Sequence, residues 1–399
     1  MIFTGLVPLF VLAHFGHHLL TALPVPLLPM IRTDLGLDYT QSGLLISAFS
    51  LSYGIGQLPA GWLADRFGPR ILITIGNCGV ALAGFLVGLS PTYMMILICL
   101  MLMGIMGGGY HPAAPPLISA SVSPQKQGSA LGLHLVGGSA SYFLAPLIGV
   151  AIAAAWGWRG SFLSLAVPAI IFGIIFYLLL GRLTPAKNIK EVKAASPAEA
   201  PSKPGRLRRL VVVMILSSCI SAIFVSTIAF IPLFLVDHFG VGEKTAAAFL
   251  AIIFSGGLWA APLGGYISDR LGKIPVLLTV CFITGPLIFL LNMIPYGVGI
   301  GILLLFLGIC LSVRMPVTEA FIVSQTSEHN RSTIFGIYYF SAMESGGILT
   351  PIMGYSIDRL GFFYSYTIAG AALFVVTLIC APFLWSGREK ALPEDNTAV

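Results

Sequence analysis

The chain has 399 residues, 57% hydrophobic and 9% charged, with a mean hydropathy of +0.95 and a formal net charge of +6. Soluble domains carry about 25% charged residues, so a water-soluble globule and a disordered chain are excluded, and a polytopic membrane protein is indicated. Between Arg70 and Lys126 there is no Asp, Glu, Lys or Arg; a membrane-crossing helix needs about 20 largely apolar residues, so this run alone holds two crossings.

Hydropathy predicts twelve spans, approximately 5–31, 41–64, 71–89, 93–118, 128–155, 160–181, 210–236, 245–268, 274–293, 297–325, 332–356 and 362–385. The N-terminal stretch is too long and continuous for a cleaved signal peptide and is read as the first span. It carries His14, His17 and His18, whose i, i+3 and i, i+4 spacings crowd one side of a helix. Such imidazoles can relay protons, bind a transition metal when facing ligands exist, or line a cavity inertly. No acidic cluster accompanies them, so neither a metal nor a cofactor is assigned.

The loop after the second span reads "GWLADRFGPR" (61–70). Asp65 and Arg66 can cap the helix end and pair with charges on a facing bundle, Gly61 and Gly68 permit close packing and a tight turn, and Arg70 adds a second cation. The fourth span contains "GGGYHPAAPP" (107–116), which sets Tyr110 and His111 beside residues that interrupt helices. Interrupted backbone survives at membrane depth only where protein or a watery cavity satisfies it. These glycines lack the Gly-Lys-Ser/Thr of a phosphate loop. In the fifth span Gly132, Ser141, Ala145, Pro146 and Gly149 favour close helix approach and a bend.

Residues 182–209 are basic and without apolar period, a linker between residues 1–181 and 210–386, with 387–399 a polar tail. The halves repeat at an offset near 204 residues: "GWLADRFGPR" lies over "GYISDRLGKI" (265–274), "HP" (111–112) over "MP" (315–316), Gly132 over Gly336, and "APLIG" (145–149) over "TPIMG" (350–354). Four matches in order point to a duplicated six-helix unit. Tyr110 then aligns with Arg314, and the sequence predicts a symmetric pair of bent helices. Sixteen of the 21 basic residues fall on the termini's side and four (Arg32, Arg159, Lys244, Arg359) on the other, which predicts cytoplasmic termini. This sorting by membrane side gives no nucleic-acid patch. Six cysteines stand singly in the spans and are read as packing residues.

Arg314, Glu319 and Glu344 lie inside predicted spans, where a charge costs about 2.5–3.5 kcal/mol and is a functional candidate by default. Arg314 can fork onto a substrate anion or pair permanently with Glu344 or Glu319. Glu344 is the candidate titrating carboxylate. Glu319 is expected to reach the interface, since five residues of helix turn it away from Arg314. Tyr338 and Tyr339 either hydrogen-bond in a cavity or pack.

On the 61–70 loop and its copy at Asp269-Arg270, the chain resembles the major facilitator superfamily over nearly its whole length. Pro69 stands where that family often has a basic residue. The fifth-span residues follow the signature the family associates with antiporters, with Ser141 and Ala145 in place of glycines. Residues 107–147 are similar to the fosmidomycin-resistance branch of drug exporters, where His-Pro ends the apolar part of the fourth span and Gly-Gly follows in the fifth. His14 aligns with that branch's histidine, and His17-His18 replace its Asn-Asp pair.

The resemblance implies an all-α membrane fold, twelve transmembrane helices in two pseudo-symmetric six-helix bundles, with the first, fourth, seventh and tenth spans around a central cavity. The expected function is secondary active transport by alternating access: proton-coupled export (antiport) of a small organic or drug-like anion across the inner membrane, by a monomer. Arg314, Tyr110, His111, Tyr338 and Tyr339 are the expected substrate contacts. Glu344, His14 and His18 are the expected proton carriers, and Gly61, Asp65, Arg66, Gly68, Arg70, Asp269 and Arg270 the gate. Proton-coupled uptake (symport) of a carboxylate metabolite is the alternative, and a non-transporting receptor or scaffold a remote one. With no Ser-His-Asp set or paired catalytic carboxylates, an enzyme is not expected.

Overall fold

A computed structural model describes residues 6–123, 127–183, 205–326, 334, 337–341 and 345–385; within these the side chains of Asp65, Ala120, 127–129 and Leu183 lie outside the described set. The regular structure of the described residues is helical throughout. In chain order it comprises α1 (Leu6–Thr21), α2 (Pro24–Leu35), α3 (Tyr39–Phe67), α4 (Pro69–Leu89), α5 (Tyr93–Gly107), α6 (Tyr110–Ala120), α7 (Gln127–Leu183), α8 (Arg206–Phe239), α9 (Glu243–Leu271), α10 (Lys273–Leu290), α11 (Val298–Gln325) and α12 (Ser345–Trp385). Among the described residues nine helical stretches are long and apolar enough to cross a membrane. Two of them are about twice or more the roughly 20 residues that one crossing needs: Ala130–Arg182 has 53, and α12 alone, Ser345–Trp385, has 41. Each breaks at a glycine, Gly157 in α7 and Gly361 in α12. The 29-residue α3, with Gln41, Gln57 and several serines, stands outside the nine.

The duplication read from the sequence is written into the backbone. Gly36 (φ 62°) and Gly240 (φ 67°), Gly68 (91°) and Gly272 (90°), and Gly157 (70°) and Gly361 (75°) are pairs each 204 residues apart. Only glycine enters this φ range without steric cost, so the same helix ends recur in both halves for the same local reason. Two of these pairs, Gly36/Gly240 and Gly157/Gly361, extend the matches visible in the motifs.

The repeat fails at the fourth span. The chain turns at Gly108-Gly109 and restarts as α6, whereas α11 runs unbroken through Pro316. The expected symmetric pair is therefore interrupted in one half and continuous in the other. Gly107–Gly109 correspond to Leu311, Ser312 and Val313, whose side chains restrict the backbone and keep it helical. Pro112 sits in the first turn of α6, where no intrahelical donor is needed. The glycines also permit contact: a Cβ on Gly108 would lie 2.5 Å from the Gly56 carbonyl carbon of α3.

Helices α1 to α7 pack mainly on one another, as do α8 to α12. The groups meet where α3 packs on α12, α7 on α9, and α2 on α8 and α9. A long core cluster is shared by both groups, including Leu27, Ile31, Phe230 and Phe234, and a separate one inside the first group gathers Phe10, Tyr110 and Phe176.

Candidate functional site

Five of the seven histidines, His14, His17, His18, His111 and His134, converge from α1, α6 and α7. All but the half-buried His111 are at least 90% buried. His14 Nδ1 donates to the His134 carbonyl at 2.9 Å, and the two rings stack with centroids 4.1 Å apart. His17 Nε2 is 3.1 Å from the Tyr53 hydroxyl. His18 Nδ1 reaches Thr21 Oγ1 at 3.2 Å, and its Nε2 lies 3.2 Å from His111 Nε2. Tyr110 is fully buried, stacked on His17 and His14, with its hydroxyl 3.1 Å from His134 Nε2 and 3.3 Å from the Phe10 carbonyl. It braces the histidines from behind, and His111 takes the more open position. Close approach is what admits the cluster: a Cβ on Gly138 would lie 2.6 Å from His14 Cε1.

The partners settle much of the proton placement. A carbonyl only accepts, so His14 carries its proton on Nδ1 and keeps a lone pair on Nε2. Thr21 Oγ1 donates to the His18 carbonyl at 3.4 Å and so accepts from His18 Nδ1; His18 Nε2 is then the acceptor for His111 Nε2–H. His14 Nε2 is buried without a hydrogen-bond partner among the described residues, and such a group calls for an explanation.

The equivalent place in the second half is held by Arg314. The 204-residue offset carries His17, Tyr110 and His134 onto Ser221, Arg314 and Tyr338, and the contacts follow. Arg314 Nη2 donates to Ser221 Oγ at 3.2 Å and Nη1 to the Ser217 carbonyl at 3.5 Å, as Tyr110 leans on His17. Tyr338 is buried beside Arg314 and Thr318. Arg314 is 4% exposed, and the ion pairs among the described residues, Arg32–Asp237 and Arg159–Asp34, do not include it. Glu319 does not reach for the interface: it accepts from the Tyr339 hydroxyl at 3.1 Å, which occupies both groups. Glu344 lies outside the described residues, as does Gly336.

The two helix groups are latched at the face opposite the termini. Arg32 Nη1 donates to Asp237 Oδ2 at 2.7 Å, and the Tyr39 hydroxyl donates to the same oxygen at 2.6 Å. Burial and the Asp237 carboxylate push the Tyr39 phenol above its ordinary pKa, so it remains a donor. Asp358 of α12 accepts from Tyr39 N–H at 3.0 Å and Thr40 N–H at 2.8 Å, capping the open start of α3 from the other group. Deeper in, Ser47 Oγ donates to the Gly347 carbonyl.

The expected gate at the termini's face makes no such bridge among the described residues. Arg66 lies over Trp62, Arg270 over Tyr266, and Arg70 over Tyr177, whose carbonyl it also bonds at 3.0 Å. Each stacks within its own group. Asp269 and Arg270 are exposed, Gly68 and Gly272 form matched turns, and Gly61 and Asp65 fall in the last turns of α3. The latch residues were missed in the sequence. Their only signal was opposite charge at the ends of the first and seventh spans, Arg32 and Asp237.

The Major Facilitator Superfamily profile matches residues 10–311 and 250–398. Among curated relatives, "Probable sulfoacetate transporter SauU" of Cupriavidus necator is 25% identical over 381 residues, covering 88% of this chain and 86% of the relative. "Multidrug resistance protein MdtG" of Escherichia coli is 25% identical over 389 residues, covering 94% and 92%. Among solved structures, a bacterial homolog of the human lysosomal transporter Spinster, inward-facing and unoccupied, superposes with a TM-score of 0.76 at 17% identity, covering 96% of each chain.

Proposed function

The chain belongs to the major facilitator superfamily, and from that membership we propose a secondary active transporter that carries a small organic anion by alternating access, coupled to protons, in the inner membrane. The observation that carries the reading is Arg314, a buried guanidinium outside any ion pair among the described residues, at the position equivalent to Tyr110 of the imidazole cluster. A buried guanidinium is costly unless an anion sits beside it, and an anionic substrate supplies one. With the basic side in the cytoplasm, the latched face is periplasmic and the resting state opens inward.

Both halves of the site are basic, so a proton on the cluster and an anion near Arg314 strengthen each other's binding. Linkage is reciprocal, and mutual strengthening favours proton and anion moving together, as uptake. The sulfoacetate relative supports an acidic substrate. Export in exchange for protons is the second reading, supported by the fifth-span residues Gly132, Ser141, Ala145, Pro146 and Gly149 and by the multidrug relative. Glu344 would then hold the exchanged proton.

Proteoliposomes loaded with a pH dye and offered sulfonates, phosphonates and carboxylates test both. Anion entry with acidification of the lumen supports co-transport; anion entry with alkalinisation supports exchange. Absence of substrate-dependent counterflow across the whole panel sinks the transporter reading. Normal transport by both Arg314→Lys and Glu344→Gln sinks the site assignment.

A further inference from the structure

We propose that His14, His18 and His111 form a binding site for a divalent first-row transition-metal ion such as zinc or cobalt. Their ligand nitrogens lie within 4.8 Å of one another. The His18 Nε2 to His111 Nε2 separation is 3.2 Å. Two nitrogens bound tetrahedrally at about 2.05 Å stand about 3.4 Å apart, so one edge of the polyhedron is already in place. The widest gap has to close by about 1.4 Å.

The lone pairs point the same way. His14 donates through Nδ1 to a carbonyl and leaves Nε2 buried and without a partner among the described residues. His18 donates through Nδ1 to Thr21 Oγ1 and leaves Nε2 as an acceptor. A metal-bound imidazole typically donates its other N–H to a carbonyl or similar oxygen, which fixes the ring and its tautomer. Both α1 histidines have that outer partner, 2.9 and 3.2 Å away. The ion takes the place of the proton between His18 and His111, which moves to His111 Nδ1 so that the ring stays neutral.

Three neutral imidazoles without a carboxylate select zinc, cobalt, nickel or copper over calcium and magnesium, which demand oxygen ligands. His111 is the half-buried member, so the fourth position falls on its more open side and takes water or an anion. Metal binding is an equilibrium property of these residues and is independent of direction or proton coupling. It can fail while transport stands, and the reverse.

The test uses full-length protein in detergent, purified through a tag without histidine and stripped with chelator. Titration with cobalt alone is expected to give one ion per chain with the intense visible absorption of four-coordinate cobalt, displaced by zinc. His18→Asn and His111→Asn each weaken binding by about 100-fold or more, while His238→Asn, outside the cluster, leaves it unchanged. Binding that both cluster variants retain, or no cobalt band, overturns the site. Should the variants misfold, copper electron paramagnetic resonance on the unaltered protein decides: nitrogen hyperfine structure from several imidazoles supports the site, and its absence overturns it.

Discussion

The imidazole cluster of α1, α6 and α7 and the arginine site of α8 and α11 occupy equivalent places in the two halves, yet they solve opposite problems. In the first, Tyr110 is enclosed by stacked rings and its hydroxyl is satisfied internally. In the second, Arg314 brings a guanidinium to the matching position, which donates to Ser221 Oγ and the Ser217 carbonyl. The same backbone thus offers titratable groups on one side and a fixed cation on the other. Duplication supplies the geometry, and divergence at a few positions places imidazoles in one half and a guanidinium in the other.

The largest expected effect tests that asymmetry. Hydrogen bonds to charged groups are worth about 1.5–3 kcal/mol, so Arg314→Met should weaken apparent anion affinity by roughly 10- to 100-fold. Tyr110→Phe removes neutral bonds and should cost about 1 kcal/mol of stability, read by thermal unfolding, with substrate affinity little changed. Equal loss of affinity in the two variants breaks the comparison.

A packing pair sharpens it. Gly138→Ala drives a methyl into the His14 ring and should destabilise by about 1–3 kcal/mol, lowering the melting temperature. Gly257→Ala, whose Cβ would meet the small Ser139 Oγ at 3.2 Å, should stay within about 0.5 kcal/mol of the parent. A tolerated Gly138→Ala shows that the cluster is looser than its contacts imply.

The latch gives smaller effects. Asp358→Ala strips the start of α3 of a charged cap, a loss of about 1–2 kcal/mol, and should shift the population toward opening of the latched face. Spin-label distances between α3 and α12 at that face would lengthen. Asp237→Asn removes a half-exposed ion pair worth about 0.2–1 kcal/mol. Its shift should be the least, and should vanish in high salt; a salt-independent shift points to the Tyr39 bond instead.

Much of the fold was legible because its determinants are local. Apolar runs set the spans, and glycines 204 residues apart set matching turns, as Gly68 and Gly272 show. The candidate site was legible in part. His14, His18, His111 and Arg314 stood out as polar groups at membrane depth, but His134 could not be assigned to them, because its place depends on how α7 packs against α1 and α6. Tyr110, expected to touch substrate, lies behind the histidines for the same reason. The Arg32, Tyr39, Asp237 and Asp358 latch joins residues whose partners are about 200 to 320 positions away, a range over which no periodicity operates.

By itself, then, the sequence determined the membrane class, the internal repeat and the superfamily, since hydropathy and backbone freedom act within a turn or two of helix. The tertiary structure alone decided which imidazoles meet and which nitrogens keep a lone pair. It also decided that α11 is continuous where its counterpart is interrupted at Gly108-Gly109, and which face carries the latch. Those properties arise from helices approaching to within contact distance, where a single glycine or a carboxylate from the other half sets the outcome.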